Sequence, residues 1–240
     1  MELTTKGLAL RATDYQENDK LVALYTPDYG KITVHARGVR KSTAKLRFAV
    51  DQFCFGDYEL AATGDRYTLK NCQQISSFYG LREDIVVYYA ACCVAECLLS
   101  CTEEGQSDPV LFVETLRALE ALADGRQPLV VTARFVTGFL ELSGFRLDFT
   151  RCSVCGEKTR HMFVDMHRGV TCDGCRGAES IAVSPIVATS LAMIDGVPYD
   201  KLDNFNFTLD CQKDMLQLLN RYIAHVFYPS KSMTELIRLA

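Results

Sequence analysis

Tryptophan is absent, and proline and histidine are scarce, at six and four in 240 residues. No apolar run approaches the roughly 18 residues needed to cross a bilayer; the best stretch, residues 85–99, is interrupted by Glu96. No apolar signal segment follows the opening Met1-Glu2-Leu3-Thr4-Thr5-Lys6, so nothing suggests export and a cytoplasmic protein is expected. There is no G-x-x-x-x-G-K-[ST] phosphate loop, no G-x-G-x-x-G after a strand and no G-x-S-x-G elbow, which argues against the common nucleotide-binding and hydrolase sites. His35 falls in a strand, His161 and His167 among cysteines and His225 in a helix, none in a nucleophile or metalloprotease setting. The pair Glu103-Glu104 runs into Gly105 and reads as a solvated loop. No residue asks to be catalytic, and a protein without turnover is expected.

Acidic residues are missing from one place. Residues 31–50 hold Lys31, Arg37, Arg40, Lys41, Lys45 and Arg47 and no Asp or Glu. Nine Lys/Arg against five Asp/Glu give residues 1–50 a charge of +4, so with a chain total of −4 the remainder carries −8. A basic front on an acidic body is what a polyanion-binding face looks like, although solvated basic loops are common and charge alone does not separate the two.

From residue 3 to about 75 the apolar pattern has a period near two. Candidate strands are 4–12, 21–26, 31–39, 52–61 and 67–74, rich in Val, Ile, Thr, Tyr and Phe. Thr26-Pro27-Asp28-Tyr29-Gly30 is a turn: proline sets one φ, aspartate caps and glycine takes a positive φ. Five short antiparallel strands suit a small closed barrel, because closure removes exposed edges. Past Gly80 the period becomes helical. Asp108-Pro109 opens one helix and Gly125 ends it, another covers 128–143, and a third opens at Ser184-Pro185. Asp210 is expected to cap a longer helix reaching Phe227, with a short one over 231–239. The fold class is α+β: a barrel over residues 1–78, then a helical domain over 79–240 with a cysteine insert at 151–176.

Eleven cysteines are many for a reducing compartment, and an odd number cannot all pair within one molecule. Cys152-Ser153-Val154-Cys155 and Cys172-Asp173-Gly174-Cys175 are two C-x2-C units separated by sixteen residues, the spacing of a four-cysteine zinc site. Residues 161–165 and 170–172 read as a short hairpin that brings the units together, with almost no apolar core of its own, so one zinc ion would supply folding energy. Four sulfurs fill a tetrahedral shell and leave no open position for a catalytic water, so the site is read as structural. Two disulfides, a redox-active C-x-x-C, or His161 or His167 in place of one cysteine are the alternatives. Cys92, Cys93, Cys97 and Cys101 share a helix and read as small buried hydrophobes, with a second metal site as the other reading.

The segments Gly7-Leu8-Ala9-Leu10-Arg11, Tyr15-Gln16-Glu17-Asn18-Asp19-Lys20, Tyr25-Thr26, Gly30-Lys31 and Ala36-Arg37-Gly38-Val39-Arg40 resemble the N-terminal barrel of the bacterial RecO family of DNA repair proteins. Phe139-Leu140-Glu141-Leu142-Ser143-Gly144-Phe145 and Lys231-Ser232 resemble its helical domain. The order and spacing of these segments carry the likeness over nearly the whole chain. The resemblance implies an oligonucleotide/oligosaccharide-binding (OB) barrel, a helical domain and a zinc insert. It also implies a nucleoid-associated recombination mediator that binds single- and double-stranded DNA and anneals complementary strands. With RecR, such a protein helps load recombinase onto single strands coated by SSB.

On this reading Arg37, Arg40, Lys41, Lys45 and Arg47 are the main phosphate contacts, with Lys31 in the same stretch and Arg11 and Lys20 flanking. Tyr15, Phe48 and Tyr67 are available for base stacking, though each also suits core or turn packing. Arg134 occupies the place of a family arginine that resembles a contact for the acidic C-terminal tail of SSB, with Phe135 and Phe139 nearby on its helix. The competing reading is a protein-interaction adaptor with a structural zinc site and no direct DNA binding, in which the acidic helical body does the work.

Overall fold

The computed structural model describes residues 1–240. By internal contacts the chain divides into a unit of residues 1–79 with 98–116 and a unit of residues 80–97 with 117–240. In the first, β1 (Glu2–Tyr15), β2 (Asp19–Thr26), β3 (Gly30–Ala36), β4 (Phe55–Thr63) and β5 (Arg66–Ser76) form a closed barrel in the order β1-β2-β3-β5-β4. Every neighbouring pair is antiparallel except β3 and β5, which run parallel and close the sheet. Alternation sends Val22, Leu24, Ile32, Val34, Tyr58 and Leu60 into one buried cluster, completed by Ala49 and Val50 of a 3-10 turn at Arg47–Val50. The Tyr58 hydroxyl donates to Ala49 O at 2.8 Å, which fixes that turn against the barrel.

β3 stops at Ala36 rather than at the expected residue 39. Gly38 turns the chain at φ +67°, and its N–H donates to Asp19 Oδ1 at 2.8 Å, so the segment leaves the sheet early. At the other end of β3, Lys31 is not a surface cation. Its Nζ donates to Leu99 O at 2.7 Å and Thr102 O at 2.6 Å, the free carbonyls at a helix C-terminus, where a cation is favoured. Desolvation lowers the Lys31 pKa against the opposing influence of Glu104.

The helices are α1 (Ile85–Cys101), α2 (Pro109–Ala123), α3 (Pro128–Leu142), α4 (Pro185–Ile194), α5 (Leu209–Val226) and α6 (Lys231–Leu239). Asp108 caps α2 by accepting the Leu111 N–H at 2.9 Å. α3 ends in a Schellman motif: Gly144, at φ +84°, donates to Glu141 O and Phe145 N donates to Leu140 O at 2.7 Å. α5 is capped two residues before the expected position; Thr208, not Asp210, accepts the Cys211 N–H. Buried Phe135 and Phe139 stack at 6.3 Å inside the second unit, and Phe227 packs on Phe139 at 5.7 Å. Glu96 of α1 caps α6 from far along the chain. Its carboxylate accepts from Ser230 Oγ at 2.8 Å, Lys231 N at 3.2 Å and Ser232 N at 2.9 Å.

The insert folds around β6 (Met162–Asp165) and β7 (Gly169–Cys172), the expected hairpin. A strand not foreseen, β8 (Ile181–Val183), pairs with β6 and makes a three-stranded sheet in which Met162, Val164, Val170 and Val183 are buried. The insert therefore has more apolar packing than its sequence suggested.

Candidate metal centre and candidate nucleic-acid interface

The two C-x2-C units meet at the open end of the hairpin. Cys152 N donates to Glu157 O and Gly156 N to Cys152 O, so the first unit is a tight turn with Gly156 at φ +75°. Ser153 N donates to Val170 O at 2.8 Å, tying that turn to β7, while Cys175 N donates to Cys172 O in the second unit. The four sulfurs lie within 4.8 Å of one another, and Cys155 and Cys172 are 3.7 Å apart. With a Zn–S bond of about 2.3 Å a tetrahedron has an edge of about 3.8 Å, so the donor set and its spacing fit zinc. All four cysteines are free thiols rather than disulfides, and the clustered set needs neither His161 nor His167. Desolvation raises the Cys152 pKa, but the N–H groups of Cys155, Cys172 and Val154 outweigh it and hold the thiol down at about 6. Cys175, hydrogen-bonded to the thiols of Cys155 and Cys172, is pushed up to about 12.

Asp165 organises the rest of the insert, and the sequence reading missed it. Its Oδ1 accepts from His167 N and Arg168 N in the β6–β7 turn, and its Oδ2 from Gly177 N and Ser180 Oγ in the segment leading to β8. These bonds, led by His167 N–H, hold its carboxyl below the usual range. A Cβ on Gly177 would stand 2.5 Å from Asp165 Oδ2, so a side chain there would push the carboxylate off its partners. The signal available was Asp165-Met166-His167-Arg168-Gly169, an aspartate followed by a turn glycine.

On the barrel, the loop after β3 is held down. Arg40 N donates to Asn18 O at 3.0 Å, Lys41 N to Gly38 O and Ala44 N to Lys41 O. The loop is thereby fastened to the β1–β2 turn. Arg40 and Lys20 share Asp14 at 3.2 and 3.9 Å, and Arg40 also reaches Gln16 O, so these two cations are partly committed. Arg11, Arg37, Lys41, Lys45 and Arg47 are exposed and form no ion pair. Lys31, half-buried against helix carbonyls, is outside this set. Of the three aromatic candidates, Phe48 and Tyr67 pack on the barrel core, and Tyr15 alone is exposed.

The expected tail contact does not match its surroundings. Arg134 is 8% exposed, its Nε donates to Val197 O at 2.8 Å and its guanidinium lies over the Tyr199 ring. Phe135 and Phe139 are each 1% exposed, core residues rather than walls of a groove. Arg134→Met should destabilise the second unit by about 2 kcal/mol, measured by urea unfolding, since Val197 O loses a charged donor.

Residues 1–78 match the family model described as Recombination protein O N terminal, and residues 82–233 match Recombination protein O C terminal. The chain belongs to the RecO family of DNA repair proteins. A RecO relative from Clostridium novyi (strain NT) is 28% identical over 236 residues, covering 97% of this chain and 92% of its own. One from Listeria monocytogenes serotype 4b is 32% identical over 171 residues, 71% of this chain and 67% of its own. One from Bacillus pumilus is 27% identical, covering 92% and 88%. This RecO-family chain thus has an OB-like barrel with a fastened basic loop, a helical region and a thiol tetrad that could hold a metal ion. No helix is long and apolar enough to cross a membrane.

Proposed function

We propose that the chain binds single-stranded DNA through the barrel and its basic loop and anneals complementary strands. With RecR it would help load recombinase onto SSB-coated DNA, without catalytic turnover. Zinc on Cys152, Cys155, Cys172 and Cys175 holds the insert and takes no part in chemistry. The observation that carries this reading is the set of exposed, unpaired cations Arg11, Arg37, Lys41, Lys45 and Arg47 on a barrel of OB topology. Phosphates attract such a set and release counterions, so binding is independent of sequence and weakens with salt. Screening of two strands at one basic face lowers their repulsion enough for pairing. Membership of the RecO family supports the DNA repair role; docking of an SSB tail is retained as a partner contact without Arg134, Phe135 or Phe139.

The test is a titration of labelled single-stranded DNA at several salt concentrations. Lys41 and Lys45 are better probes than Arg40, whose removal would also release Asp14. Replacing both lysines with alanine should weaken binding alike for all sequences and reduce the log–log salt slope by about 1.4, at about 0.7 per single-strand phosphate contact. An unchanged slope would move the DNA site off this loop. Wild-type protein that binds no DNA would favour the adaptor reading.

A further inference from the structure

The register of β1, β2 and β3 lays out one outward face of the barrel. Arg11 pairs with Ala23, Thr13 with Leu21 and Tyr15 with Asp19, while Thr33 and His35 on β3 pair with Ala23 and Leu21. The intervening residues Val22, Leu24, Ile32 and Val34 point inward and are buried. One end of this face is acidic, where Glu104 bonds Thr33 Oγ1. The other end carries Tyr15 beside the basic loop, with Arg40 bonded to Gln16 O and paired to Asp14.

Tyr15 is 41% exposed, yet it is not loose. Its ring meets His35 edge to face at 5.3 Å and 88°. His35 Nε2 is 2.7 Å from Asp19 Oδ2, and the other Asp19 oxygen accepts the Gly38 N–H. Both oxygens of the Asp19 carboxylate are therefore occupied, and Asp14 is paired with Arg40, which blunts their repulsion of phosphate. Packing perpendicular to His35 holds the ring while much of the residue stays open to solvent. An immobilised aromatic ring beside a basic loop offers what an unstacked base requires: a surface to stack on and charge for the adjoining phosphates. Paired bases inside a duplex cannot reach such a ring.

We propose that Tyr15, held by His35 and Asp19, is a base-stacking platform that makes the basic barrel face select single-stranded over duplex DNA. This rests on the reading of the barrel as the DNA-binding part. Tyr15 is the contact residue; His35 and Asp19 are positioning residues.

The full chain is titrated by fluorescence anisotropy with an oligothymidylate, an abasic oligomer of the same length and a duplex. Wild type should bind the oligothymidylate more tightly than the abasic strand. Tyr15→Ala should weaken oligothymidylate binding roughly 5- to 150-fold, the range for loss of one stacked base, with abasic and duplex binding and the salt slope unchanged. Tyr15→Phe should restore wild-type affinity. Because the chain has no tryptophan, Tyr15→Trp introduces a single indole, whose emission should be quenched by oligothymidylate and not by the abasic strand. Equal affinity of Tyr15→Ala and wild type for oligothymidylate, equal weakening on all three ligands, or an unquenched indole would each overturn the platform while leaving the basic face intact. Wild type that binds none of the three ligands would remove the DNA-binding reading and the platform with it.

Discussion

Cys152→Ser should abolish zinc binding and the order of the insert. Elemental analysis of the wild type is expected to give about one zinc per chain, released only when a chelator is combined with denaturant. A zinc ion on the four thiols would join two turns that otherwise share few bonds: Ser153 N to Val170 O is the backbone link that ties the first turn to the strand leading into the second. Structural zinc sites have apparent binding free energies of about 10–16 kcal/mol in isolated finger peptides, comparable to the whole stability of a domain, about 5–15 kcal/mol. Loss of the ion should therefore lower the Tm of the helical unit by more than roughly 10 °C, softened by the apolar contacts of β6, β7 and β8. Affinity should rise with pH, because four thiols must give up protons and Cys175 holds its own up to about 12. Protein that stays folded and active with no metal would dismiss the structural role. Thiols that resist alkylation without reductant, in metal-free protein, would point to disulfides instead.

Glu96→Ala should be strongly destabilising although it lies far from the insert. Its carboxylate serves three donors at the start of α6, and Ser230, itself 6% exposed, turns its hydroxyl oxygen to accept the Met233 N–H. Removing an anion from a helix N-terminus strands N–H groups that have no other protein partner, at about 3 kcal/mol for charge-assisted bonds in a half-buried setting. The Tm of the helical unit should fall by roughly 6–12 °C. Glu96→Gln keeps an acceptor oxygen and should fall between. Ser230→Ala combined with Glu96→Ala should add little, since the two act as one unit. A Tm within about 1 °C of wild type for Glu96→Ala would mean that α6 is held by Met233 and Leu236 alone.

The barrel was legible because period-two alternation is a local property: Ile32, Val34 and Ala36 face in whatever lies beyond them. The cysteine tetrad was legible for a similar reason, since C-x2-C is a local geometry repeated once. What failed to show depended on distant chain. Nothing near Lys31 names the α1 carbonyls as its partners, which come 67 to 71 residues later. Strand β8 has three residues and forms only because β6 offers an edge. The burial of Arg134 has a readable sign in the sequence. Residues Val130, Val131, Thr132, Ala133, Phe135 and Val136 leave α3 almost no polar face, and a helix apolar all round buries its single cation too. Cap choice at α5 turned on which of Thr208 and Asp210 lies just outside the first turn, a two-residue difference that pattern does not resolve.

The clasp between Glu96 and the start of α6 also sets a clock. Ser230 follows Glu96 by 134 residues, so at about 5–20 residues per second a ribosome delivers the partner roughly 7–27 s after the carboxylate. Through that interval α1 holds an acceptor with only water to serve. All five barrel strands are complete by Ser76, before Glu96 is even made. During synthesis the barrel is free to close first, whereas a chain diluted from denaturant meets both tasks at once.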